Sequence, residues 1–138
     1  MNPVRSLARQ VRLGESQRDL GGATSYGMNL ESLKKDNKYL WTQHVIRKMT
    51  FYGLSPDRVR RVIRSPKRVE EGIAENTVAV MQFSTNIKKP TEVWTMYQKK
   101  GNKKIIISAW RYPGISPIGK AIPIPADILE ELRREKVL

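Results

Sequence analysis

Thr42-Gln43-His44-Val45-Ile46-Arg47-Lys48-Met49-Thr50-Phe51-Tyr52-Gly53-Leu54-Ser55-Pro56-Asp57 sets two helices end to end and marks where each starts and stops. Thr42 can accept a hydrogen bond from the first free backbone N–H groups, so it reads as the N-cap of a helix running to Tyr52. Val45, Met49 and Tyr52 fall at i, i+4 and i+7 and define the core face. Gly53 tolerates the left-handed conformation that ends a helix. Ser55 then caps a second helix, Pro56 takes its first position with φ already set, and Asp57 complements the dipole. Val59, Val62 and Ile63 give this helix its buried stripe, and Ser65-Pro66 stops it.

Working outward, Tyr39-Leu40-Trp41 reads as a short strand before the first helix, and residues 29–37 as a short helix or polar loop leading into the domain. Downstream the period changes from helix to strand. Residues 68–73, 77–83, 92–98 and 104–112 are rich in Val, Ile, Trp, Thr and Tyr and are joined by short connections, which predicts an antiparallel meander. Trp110 and Tyr112 share one face of the last strand and Arg111 takes the other; at least one of Trp94 and Trp110 is expected in the core. Past residue 113 a proline-containing segment leads to a helix from Ala126, with Ile128, Leu129 and Leu132 available to dock. The expected organisation is a basic arm over 1–27, an α+β domain over 28–112, and an extension with a terminal helix over 113–138.

Charge is the dominant feature of the composition. Against 13 acidic residues stand 26 basic ones, a net charge of +13, which attracts polyanions. Solubility alone is a weak explanation for such an excess, because added Lys and Arg invite nucleic-acid binding. No apolar run approaches the roughly 20 residues that cross a bilayer, no basic amphipathic helix suits a membrane surface, and no secretory signal is expected. The chain has no cysteine and one histidine, so disulfides and a dedicated catalytic metal site are not expected, nor is any cofactor. The setting expected from these features is cytoplasmic.

Arg60, Arg61 and Arg64 lie opposite the apolar stripe of the second helix, and Lys67 and Arg68 extend the charge beyond its end. Such a ridge suits contacts to a phosphate backbone; the plainer reading is an exposed, charged helix face. His44, Arg47 and Phe51 form a stripe beside the core face of the first helix. A histidine next to arginine can serve as acid or base in RNA transesterification, although a histidine at a helix start is often structural. Tyr97, Arg111 and Tyr112 are candidate surface contacts for unpaired bases. Glu70 and Glu71 point to opposite faces of a strand and cannot act as a carboxylate pair, though one can pair with an arginine.

Thr42-Gln43-His44, Arg47-Lys48-Met49, Gly53-Leu54-Ser55, Val59, Val62-Ile63 and Pro66, followed by a meander, resemble an uncharacterised bacterial domain family related to the BrnT and RelE/ParE toxin superfamily. The resemblance covers about residues 39–112. It implies two helices packed on a curved, mainly antiparallel sheet of four to five strands, and a metal-independent ribonuclease that is often ribosome-linked. By that analogy His44 is the acid or base, Arg47, Arg64 and Arg111 steady phosphate or transition-state charge, and Tyr97 or Tyr112 lies near the scissile group. RNA or the ribosome is then the leading partner. A non-catalytic ribosomal or nucleoprotein accessory factor comes next and a DNA-binding regulator third. The long segment after Tyr112 departs from the family pattern, and no residues mark an antitoxin-like protein partner.

Overall fold

The computed structural model describes residues 29–84 and 88–138. The expected basic arm over 1–27 lies outside the described residues. The elements in chain order are α1 (Leu30–Lys34), β1 (Tyr39–Trp41), α2 (Gln43–Tyr52), α3 (Pro56–Arg64), β2 (Arg68–Glu71), β3 (Val78–Phe83), β4 (Thr91–Lys100), β5 (Lys103–Pro113) and α4 (Ala126–Arg134).

The local signals act as their chemistry dictates. Thr42 Oγ1 accepts from the Val45 N–H at 3.2 Å, and Gly53 takes φ 69°, ψ 43° as the C-cap. Ser55 Oγ accepts from the Arg58 N–H at 3.1 Å and so fixes the start of α3. Thr42 also donates its hydroxyl to the Ile106 carbonyl at 2.8 Å, which ties the start of α2 to the sheet.

The result is an α+β fold whose five strands lie in the order β1-β5-β4-β3-β2. From β1 at one edge the chain crosses one face through α2 and α3 and re-enters at the far edge as β2. It then returns by antiparallel neighbours to β5, which pairs with β1 in parallel. The sheet is therefore mixed, with its one parallel pair supplied by the helical crossover.

Both faces are covered. Val45, Ile46 and Met49 of α2 and Val59, Val62 and Ile63 of α3 pack on Val80, Val93, Ile106 and Ala109, with Trp41 among them. The other face holds Met81, Trp94, Met96, Ile107 and Trp110, covered by Ile128 and Leu132 of α4 and by Val137. Both tryptophans are buried, stacked at 6.2 Å between ring centres and 8° between planes. The segment after β5 is thus part of the fold, closing a sheet face that α2 and α3 leave open. A register shift at Met96/Tyr97, which pair with Ser108 and Ile106, leaves Ile107 without a partner on β4.

Candidate nucleic-acid interface

His44 is the residue that the structure treats least like a surface group. It has no solvent exposure. Its Nε2 lies 2.8 Å from Ser108 Oγ, while Nδ1 faces Glu131 Oε2 at 3.0 Å and Glu135 Oε2 at 3.6 Å. The contacts of Nδ1 have ion-pair distance without hydrogen-bond alignment. Two carboxylates beside Nδ1 favour the tautomer with its proton there, so that Nε2 accepts from the Ser108 hydroxyl. Burial lowers His44 to about 4; the attraction of Glu131 opposes the shift, and Arg47 and Lys48 add to it.

The carboxylates come from α4 and its C-cap, where Asp127, Glu131 and Glu135 recur every four residues. Lys48, nearly buried, donates to Asp127 Oδ2 at 2.9 Å and pairs with Glu131 as well. Burial disfavours its ammonium, but the bonds to Glu131 and Asp127 outweigh burial and raise it. Arg47 reaches Glu135 at 3.0 Å and Glu131 at 3.7 Å, and the Tyr52 hydroxyl donates to Asp127 at 2.9 Å. Ser108, His44 and Glu131 have the connectivity of a nucleophile, base and acid. Both Ser108 and His44 are sealed, however, and the nearby cleft of about 200 Å³ is lined by Arg47, Glu131, Arg134 and Glu135 only. As arranged, the group joins α2 to α4.

The other candidate residues divide by what holds them. Arg111 donates Nε to the Tyr52 carbonyl at 2.7 Å and Nη2 to that of Gly53 at 3.2 Å, satisfying the end of α2. Tyr112 lies half-buried on the opposite face of β5, against the second core. Of the six residues to which the resemblance gives a chemical role, His44 and Arg47 alone share a cluster. Tyr97 is half-buried with Lys104 Nζ over its ring at 5.8 Å. Arg60 is bound to Asp57 at 2.8 Å and Asp36 at 3.0 Å and lies over the Trp41 ring. Arg68 pairs with Glu70, donates to Ser116 Oγ at 2.7 Å and covers Trp94, so it anchors the segment after β5.

Arg61, Arg64 and Lys67 remain. All three are exposed, and among the described residues no carboxylate pairs with them. A second group of cations escaped the sequence reading: the β4–β5 hairpin sets Lys99 opposite Lys104 and Lys100 opposite Lys103. Like charges in direct register repel, and the lysine pair on each side of Gly101-Asn102 is the signal that could have revealed them. No group of His, Asp or Glu suited to hold a metal ion occurs among the described residues, and none of their helices is long and apolar enough to cross a membrane. Comparison with family models, curated proteins and solved structures finds no match to this chain.

Proposed function

We propose that the protein binds nucleic acid, RNA foremost, through phosphate contacts made by the exposed edge of α3, in a cytoplasmic setting. The observation that carries this reading is that Arg61, Arg64 and Lys67 have no carboxylate partner among the described residues, in a chain of net charge +13 whose other ridge arginines are taken up in the fold. Such contacts position a nucleic acid without reading its sequence and weaken steeply with salt. The order β1, α2, α3 and a four-strand meander supports a RelE/BrnT-like reading of the fold.

Of the two roles that follow, binding without cleavage is favoured. A general acid or base must reach its proton, whereas His44 is enclosed and, at about 4, uncharged at neutral pH. An accessory role on ribosomes or another nucleoprotein therefore fits better than a nuclease.

The test is incubation of the protein with labelled single-stranded RNA, the matching DNA and ribosomes, without added metal, scoring binding and cleavage together. Salt-sensitive binding with intact RNA is expected. Cleavage abolished by His44→Ala would reinstate the nuclease, and failure to bind any of the three would overturn the reading.

A further inference from the structure

Three arginines, Arg58, Arg61 and Arg111, lie where the α2–α3 turn meets the end of the sheet. Arg58 of α3 donates Nη1 to Gln82 and Nη2 to the Phe83 carbonyl at 3.0 Å. Gln82 in turn donates to the Arg61 carbonyl at 3.1 Å and the Ser65 carbonyl at 2.7 Å, which ties α3 to β3 at this point. In register, Gln82 pairs with Val93 and Val93 with Arg111, so Arg111 stands two strands away in the same row, roughly 10 Å by strand spacing. Its guanidinium is pinned to the Tyr52 and Gly53 carbonyls. Arg61, three residues after Arg58 on α3, is exposed.

No carboxylate among the described residues pairs with Arg58, Arg61 or Arg111. Glu92, one row along β4, has its oxygens taken by Trp94 and Ser116. Arg58 also feels the other two: it is lowered by burial and then by the charges of Arg61 and Arg111. Like charges held together without a counter-ion cost stability, and an anion placed between them removes that cost. The Arg111 fork is fixed by two backbone carbonyls and the Arg58 fork by one and by Gln82, so little side-chain freedom remains to be lost on binding. Arg111 Nη1, Arg58 Nε and the whole Arg61 fork are left to donate.

We propose that Arg58, Arg61 and Arg111 form a binding site for one phosphate group. The proposal leans on the nucleic-acid reading only for the source of that phosphate, which is either a nucleic-acid backbone or a small phosphorylated ligand.

The full chain is melted in increasing inorganic phosphate against chloride at matched ionic strength and pH. For the unsubstituted protein a saturating rise in Tm is expected. Arg61→Gln is expected to abolish most of the rise and to melt no lower in chloride, since it relieves repulsion. Lys103→Gln, which removes the same charge at the far end of β5, should keep the rise. No response, or the same response in Arg61→Gln as in the unsubstituted protein, would overturn the site. Competition with labelled RNA then separates the sources. Phosphate that displaces RNA from the unsubstituted protein more readily than from Arg61→Gln points to the backbone. Phosphate that binds while RNA affinity is unchanged points to a small ligand. If RNA does not bind at all, the nucleic-acid reading fails while the melting series still decides the phosphate site.

Discussion

His44 and Glu131 face each other across the contact between α2 and α4, with Nδ1 3.0 Å from the carboxylate, at a place where His44 has no exposure to solvent. Burial holds the folded-state pKa of His44 near 4, below its ordinary 6.5, so the unfolded chain takes up this proton first. The His44 contribution is complete above pH 6.5 and is lost as pH falls from 6.5 towards 4, a change of about 3 kcal/mol. Glu135, raised by burial, acts in the opposite sense and trims the loss. Urea denaturation at pH 7, 5.5 and 4.5 should show falling stability in the unsubstituted protein and a shallower decline in His44→Gln. Parallel declines would rule out His44 as the cause.

Lys48 is the cation on which the same contact depends. Replacing it with Met keeps most of the length of the side chain but leaves Asp127 and Glu131 facing a partly enclosed space without their nearest ammonium. The expected loss is about 3 kcal/mol, in the range for breaking a buried pair from one side. Adding Glu131→Gln to Lys48→Met should cost less than the two single losses combined, because the second change removes the stranded charge. Equilibrium unfolding of the four proteins of this cycle measures the coupling, and simple additivity would show that the pair acts independently.

The contrast between α2's ends and its partners explains how much was legible in the sequence. Thr42, Gly53, Ser55 and Pro56 act on backbone groups within a few residues, so their chemistry could be read directly, and both helices begin and end where it requires. The strands followed from composition, although β2 ends at Glu71 rather than extending to Ile73. The partners of His44 lie on another element, and only the four-residue spacing of Asp127, Glu131 and Glu135 hints at them. Likewise, counting charged residues yields the net charge but not its use: Arg60 finds Asp36 and Arg68 finds Ser116 only once the chain is folded. The shift that leaves Ile107 unpaired sets the register of β5 near Ser108, and strand composition carries no mark of it.

Gly53 offers a local test. At φ 69° an added Cβ is strained, and its N–H serves the Met49 and Thr50 carbonyls that end α2. Gly53→Ala should lower stability by about 1 kcal/mol. A Tm equal to that of the unsubstituted protein would mean that the turn relaxes without strain.

Glu92 fastens the segment after β5. Its buried carboxylate accepts from Trp94 Nε1 at 2.9 Å, the Ser116 N–H at 2.9 Å and Ser116 Oγ at 2.6 Å. Glu92→Ala leaves these donors without an acceptor, at a cost of about 3 kcal/mol or more. Amide exchange should quicken first over 113–125, where Ser116 is held, and less over α2. Uniform quickening across the chain would show global destabilisation instead of release of this segment.

The ridge on α3 makes the sharpest separation between binding and folding, because its members differ in what they touch. Arg64 and Lys67 are exposed without a carboxylate partner among the described residues, whereas Arg60 is committed to Asp57 and Asp36 and covers Trp41. If phosphates are bound here, each contact to a single strand contributes about 0.7 to the slope of log affinity against log salt concentration. Charge reversal at both Arg64 and Lys67 should then weaken RNA binding and reduce the slope by about 1.4, with Tm nearly unchanged. Arg60→Gln should do the opposite, lowering stability by up to about 1 kcal/mol while the salt slope stays close to that of the unsubstituted protein. Fluorescence anisotropy across a salt series, paired with thermal melts, reads both quantities. If Arg60→Gln flattens the slope as much as the double reversal does, the contacts extend past the free cations, and the pairing of Arg60 in the fold does not keep it from RNA.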